Sequence, residues 1–308
     1  MLRGSLLVTV LLPLAIGASA LSAASQVHNG RIAFEHVGES GAGQIYTMTA
    51  RGTNRRLLTR NRKASSLSPA YSPNGRRIVF VRSFKQSDLW LMRADGSHQR
   101  RLTRTPGIDE TEPGWSPDGK EIVFTVRSLD DSPQGISIVG VDGRHRRQLT
   151  GGKDTSPSWS PDGSEIAFSR FDDSTEGASI IVIPANGGTL TDLSSDPGAE
   201  DFDPDWSPDG NRILFAKSPD TFRSDVYVMN ADGSDVRQVT TTPERDEQDP
   251  VWSPDGQWIA YVGEGGFHGA SSYQLYVSRP DGSTRRIVTH ACGECAIVNT
   301  EPSWQRLP

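Results

Sequence analysis

The pentapeptide Trp-Ser-Pro-Asp-Gly begins at Trp115, Trp159, Trp206 and Trp252, and a degenerate Tyr-Ser-Pro-Asn-Gly begins at Tyr71. With the last tryptophan, Trp304, the steps from Tyr71 onward are 44, 44, 47, 46 and 52 residues. Catalytic motifs have no reason to recur evenly along a chain. Stacked supersecondary units must repeat their packing and turn residues. A period of this length suits four short strands, whereas ankyrin and tetratricopeptide units are shorter and helical.

Each copy divides into four segments: Pro-x-Trp-Ser, an Ile-x-Phe alternation after the Pro-Asp-Gly turn, an apolar-alternating third segment and a closing Leu-Thr or its equivalent. The second segments fall at Ile32–Phe34, Ile78–Phe80, Ile122–Phe124, Ile166–Phe168, Ile213–Phe215 and Ile259–Tyr261. Third segments begin at Ile45, Leu89, Ile136, Ile180, Val226 and Leu275, and the fourth end at Thr59, Thr103, Thr150, Ser194, Thr240 and Thr289. The first copy lacks its Pro-x-Trp-Ser strand, and the last element, from Glu301, has that strand and nothing after it. The expected fold is therefore all-β: a six-bladed β-propeller of four-stranded antiparallel blades, closed by the C-terminal strand completing the first blade.

Composition agrees. The 308 residues include 31 Gly and 20 Pro, which suits tight turns better than long helices. The net charge of −6 gives no overall basic field for nucleic acid or an anionic membrane surface. At the N-terminus, Arg3, the apolar run Leu6–Ala18 and the small residues Ala18-Ser19-Ala20 have the form of a signal peptide cleaved after Ala20. That run is shorter than the roughly 20 residues a membrane span needs. The expected organisation is a signal peptide over 1–20, a short segment over 21–29 and one propeller over 30–308. The mature protein is expected to be a monomer that is not membrane-integral, exported to the periplasm or the exterior.

The pattern P-x-W-S-P-D-G-x-x-I-x-F…Y-V-M-N-A-D-G-S…Q-V-T, clearest from Pro204 to Thr240, resembles the repeats of the TolB β-propeller family. The resemblance covers nearly all of the mature chain, but not the α/β domain that precedes the propeller in TolB, the periplasmic component of the Tol-Pal system. It implies a non-enzymatic scaffold that receives a protein or peptide, such as a Pal-like envelope lipoprotein, around its channel entrance.

Two sets of positions are candidates for that entrance. Three residues before each repeat aromatic stand Ser68, Glu112, Ser156, Asp203, Asp249 and Glu301, and two further back stand Ser66, Glu110, Asp154, Asp201, Glu247 and Asn299. In a closed propeller both sets converge on the channel mouth. Eight of the twelve are carboxylates, so their repulsion must be relieved by water, raised pKa values, a bound cation or a basic partner. Calcium, tolerant of irregular oxygen ligands, is the candidate ion at Glu112, Asp203, Asp249 and Glu301, with Glu110, Asp154, Asp201 and Glu247 as an outer ring. A solvated acidic surface is the alternative. Longer loops at Ser128–Gly135, Phe171–Ala178 and Gly263–Ser272 belong to the same face.

Paired basic residues, among them Arg55 and Arg56, Arg100 and Arg101, Arg146 and Arg147, Arg285 and Arg286, fall on outermost strands, where charge discourages sheet pairing. Cys292 and Cys295 are the only cysteines; in an exported chain they are expected to form a disulfide, with thiol, metal and redox readings as alternatives. No serine-hydrolase, zincin or phosphate-loop motif is present, and the six histidines lack ligand spacing. The enzymatic alternative is a channel-based carbohydrate-active protein of lyase or glycoside hydrolase type, whose carboxylates would come from different blades.

Overall fold

The computed structural model describes residues 27–38, 41–128, 132–196, 198–219, 223–242, 246–264, 273–289 and 298–307. The segment 1–20 expected to be a signal peptide, and Cys292 and Cys295 with their expected disulfide, lie outside these residues. The first strands of the repeat are β4 (Ser65–Tyr71), β8 (Ile108–Trp115), β12 (Lys153–Trp159), β16 (Glu200–Trp206), β20 (Glu247–Trp252) and β24 (Val298–Leu307). Second strands are β1 (His28–Val37), β5 (Arg77–Ser83), β9 (Glu121–Ser128), β13 (Glu165–Asp172), β17 (Arg212–Ser218) and β21 (Ile259–Glu264). Third strands are β2 (Gly43–Thr49), β6 (Ser87–Arg93), β10 (Pro133–Gly140), β14 (Gly177–Pro184), β18 (Asp225–Asn230) and β22 (Tyr273–Ser278). The fourth are only two residues long: β3 (Arg56–Leu57), β7 (Arg100–Arg101), β11 (Arg147–Gln148), β15 (Thr191–Asp192), β19 (Arg237–Gln238) and β23 (Arg286–Ile287).

Backbone hydrogen bonds assemble these strands into four sheets, and this corrects the expected count of six blades. Two sheets have four strands, β4–β7 and β8–β11; two have eight, one made from β12–β19 and one from β20–β24 with β1–β3. Single parallel pairs fuse the larger sheets, Ala178 with Glu200 between β14 and β16, and Tyr273 with Val298 between β22 and β24. The two-residue fourth strands leave room for these pairs but do not decide them, because β7 and β11 are equally short and their sheets stay separate. β15 covers only Ile181 and Val182 of β14, leaving Ala178 free to pair with the next first strand. Six sequence copies therefore give four hydrogen-bonded blades in a ring. Contacts run from β4 to β8, β12, β16, β20, β24 and back to β4.

The chain ends meet as the repeat predicts. β24 pairs antiparallel with β1, setting Trp304 opposite Ile32 and Leu307 opposite His28. Gly75, at φ 66°, sits where an added Cβ would collide with the carbonyl oxygen of Arg306, so this junction admits no side chain.

The conserved spelling of the copies now has physical causes. In the Pro-Asp-Gly turn, Ser116 Oγ donates to Asp118 Oδ1 at 2.8 Å, and Asp118 Oδ1 accepts Lys120 N–H at 3.0 Å. Thr103, Thr150, Thr240 and Thr289 each accept a third-strand N–H at 2.8–3.0 Å, through Oγ1, just where the two-residue fourth strand ends. The repeat aromatics pack between sheets: Trp115 with Val79, Leu91 and Phe124, and Trp304 with Phe34, Val262 and Leu275. Truncation before Glu301 removes the β24 to β1 pairing and this tryptophan. It is expected to lower the melting temperature and soluble yield sharply, and Trp304→Ala alone to cost about 3–5 kcal/mol in urea titration. Unchanged melting of the truncated protein would refute closure by β24.

Candidate functional site

Every first strand carries an X-Pro dipeptide at its centre. Proline has no N–H to give to the ladder, and pairing to the second strand slips there, between Leu67 and Ala70, Thr111 and Gly114, Thr155 and Ser158, Phe202 and Asp205, and Gln248 and Val251. At each slip the residue before proline takes a left-handed backbone: Ser68, Glu112, Ser156, Asp203, Asp249 and Glu301 have φ from 48° to 53°. This bulge turns six side chains toward one axis. Together with the prolines and several repeat aromatics they line a central cavity of about 370 Å³.

The inner carboxylates are bonded around the ring. Glu112 Oε2 accepts Thr125 Oγ1–H and Ser156 N–H, both at 2.7 Å. Ser156 Oγ donates to Asp203 Oδ1 at 2.7 Å, and Asp203 Oδ2 accepts Asp249 N–H at 3.4 Å. Asp249 Oδ2 in turn accepts Glu301 N–H at 3.1 Å. Glu301 Oε2 is buried without a hydrogen-bond partner. No Lys, Arg or His is among the lining residues.

Crowding raises their proton affinity. Burial, followed by the charges of Asp203 and Glu301, holds Asp249 well above the ordinary carboxylate range. Burial, then Glu35, pushes Glu301 up to about 8. Burial also raises Glu112 and Asp203. Two groups that sequence reasoning missed belong with them. Asp205 accepts Trp252 N–H at 2.7 Å and is pushed by burial to about 7; Glu35, on β1, is raised by burial to about 7 and accepts Thr300 Oγ1–H at 3.3 Å. The alternation Asp201, Asp203, Asp205 could have revealed the first, but Glu35 becomes visible only through the pairing of β1 with β24.

The outer positions are placed elsewhere. Glu110, Asp154, Asp201 and Glu247 are buried and do not line the cavity. Arg170 grips Asp154 through Nε–Oδ1 at 2.6 Å and Nη2–Oδ2 at 2.9 Å. Lys217 meets Asp201 at 3.0 Å, Arg285 meets Glu247 at 2.8 Å, and Arg146 pairs with Glu110. Among the described residues no three or more His, Cys, Asp or Glu side chains are grouped so as to hold a metal ion.

An all-β ring with an acidic axial cavity is the class these features define. The chain belongs to the TolB beta propeller domain family, whose model matches residues 20–135 and 128–306. Among solved structures, TolB from Acinetobacter baumannii aligns with a TM-score of 0.75 and 24% identity, over 90% of this chain and 66% of that one. This chain thus spans just under two-thirds of that protein. The putative TolB from Agrobacterium tumefaciens aligns with a TM-score of 0.69 and 17% identity, over 90% of this chain and 99% of that one. An oligogalacturonate lyase in complex with manganese shares the fold at a TM-score of 0.54 and 15% identity, over 87% of this chain and 75% of that one. No curated protein matches the sequence.

The raised carboxyl pKa values have a sign in stability. Between about pH 4.5 and about 8 the native protein holds protons on Glu301, Asp205 and Glu35 that the unfolded chain has released. Their contribution therefore falls as pH rises through that window, and levels off above it. Urea midpoints are expected to decline from the lower to the upper limit, and Asp249→Asn, which removes repulsion from Asp203 and Glu301, to flatten the decline. An identical slope in both proteins would show that the cluster does not titrate in this way.

Proposed function

We propose that this is a non-enzymatic, protein-binding propeller that receives a basic group of a peptide or protein in its carboxylate cavity. One observation carries the reading. Glu112, Asp203, Asp205, Asp249 and Glu301 share a cavity whose wall has no basic side chain. An ammonium or guanidinium group entering there would relieve their repulsion, favour their ionised forms and complete the unpartnered Glu301 Oε2. Family membership supports an envelope role with a lipoprotein of Pal type as partner, and the leader pattern supports export to the periplasm or exterior. No helix among the described residues is long and apolar enough to cross a membrane.

The likeness to the lyase supports the fold more than the chemistry. An oligogalacturonate is polyanionic and would meet a wall of like charge, which disfavours it in this cavity. A cationic guest has the opposite preference.

Calorimetry with an arginine- and lysine-containing peptide tests the reading. Binding is expected in the wild type, tightening as pH rises from about 6 to about 8 because the guest displaces protons. Asp203→Asn with Asp249→Asn keeps side-chain size and is expected to lose at least about tenfold in affinity, about 1.4 kcal/mol. Equal affinity in wild type and a folded double variant would overturn it.

A further inference from the structure

Two other units hold a carboxylate opposite a cation at a position where the sheet β4–β7 holds only the cation. Asp154 stands opposite Arg170, and Asp201 opposite Lys217, in the pairing of first and second strands. In the same register Ser66 stands opposite Arg82. Ser66 is fully buried, and neither its Oγ nor Arg82 Nε has a hydrogen-bond partner. The guanidinium is held flat, its centre 4.2 Å from the Trp90 ring centroid and 5.2 Å from that of Phe80. Its Nη2 donates to Gln99 Oε1 at 2.7 Å on the exposed side. Of these three cations, Arg82 alone has no carboxylate partner on the facing strand.

The surroundings share this charge. Ser83 pairs with both Ser65 and Ser87, so the residues before β4 and the loop from β5 to β6 emerge at one end of the sheet. Gln86 Nε2 donates to the Thr105 carbonyl at 2.6 Å and its Oε1 accepts Gly107 N–H at 3.2 Å, which brings the segment before β8 to the same corner. Arg60, Arg62, Lys63, Lys85 and Arg104 are exposed there, and Phe84 is 68% exposed. Among the described residues none of these cations forms an ion pair. The nearby acids are already engaged: Asp88 with Arg101 at 2.6 Å, and Asp109 with Ser87 N–H at 2.6 Å. In a chain of net charge −6 this corner is the inverse of the cavity.

We propose that this corner docks an acidic peptide segment, its carboxylates meeting the exposed side of the Arg82 guanidinium and the cations around it, with an apolar neighbour covering Phe84. A guanidinium favours a carboxylate partner through charge-assisted hydrogen bonds. A continuous polyanion such as nucleic acid would be repelled by the acidic remainder of the protein, whereas a short peptide reaches the corner alone.

The test uses a fluorescein-labelled oligoglutamate peptide containing one leucine, with the glutamine counterpart, oligothymidylate and phosphatidylglycerol vesicles as comparators. The folded wild type is expected to bind the glutamate peptide, less so as salt is raised. Arg82→Gln, Phe84→Ser and Ser66→Asp are each expected to weaken it by about tenfold or more. Ser66→Asp supplies the missing carboxylate within the chain, so its melting temperature is expected to rise as the peptide is excluded. Where Ser66→Asp does not fold, Arg82→Gln decides. Absence of wild-type binding, unchanged affinity in the folded variants, or equal or tighter binding of oligothymidylate or vesicles would overturn the proposal. The Asp203→Asn and Asp249→Asn variant leaves this binding unchanged, which separates this corner from the cavity.

Discussion

The X-Pro bulge is the constraint on which the centre of this molecule depends. A first strand with regular pairing would point alternate side chains into its two flanking sheets and none along the axis. The missing proline N–H lets the strand slip by one residue, and the residue before it turns left-handed at φ near 50°. A non-glycine residue in that conformation is strained, and here six copies persist together. They are held because the side chain so exposed, or its neighbour two residues on, finds an N–H in the next strand: Ser156 to Glu112, Asp249 to Asp203, Glu301 to Asp249, Tyr71 to Ser303. Neighbouring first strands are thus joined through side chains where their backbones do not pair.

Around this ring the paired arginines have a different use from the one their position suggests. Charge on an outer strand does discourage edge pairing, but Arg146 and Arg285 also reach back to the buried Glu110 and Glu247 on the first strands of their own units. Each lies over an aromatic ring as well, Arg146 5.1 Å from Phe124 and Arg285 4.4 Å from Tyr276. A buried carboxylate left without its cation would be strongly destabilising, so these pairs tie the outer edge of a unit to its own first strand. The cavity carboxylates have no such partners.

Much of the architecture was legible because packing and turns repeat. The Trp-Ser-Pro-Asp-Gly spacing located the strands, and the unmatched Asn29 and Glu301 ends foretold the pairing of β1 with β24. The count of blades was not legible, because it rests on single parallel pairs at Ala178 and Tyr273, which a repeat alignment does not encode. The site was half legible. Period-two spacing put both acidic sets on one strand, but the bulge between them sends Asp203 to the axis while Asp201 meets Lys217. Spacing alone does not register a slip of one residue.

The serines show which part of the ring folding requires. Ser68 and Ser156 occupy the same left-handed position as Glu112 and Asp249, and Ser303 accepts Tyr71 N–H where Asp205 accepts Trp252 N–H. A hydroxyl therefore suffices to hold the bulge and to join neighbouring strands. The carboxylates at Glu112, Asp203, Asp249 and Glu301 go beyond that need and bring burial and mutual repulsion that serine would avoid. A locally unfavourable choice, repeated at one place in an otherwise self-consistent sequence, is the mark of a requirement other than folding. That excess charge is the argument for the proposed basic guest of the cavity.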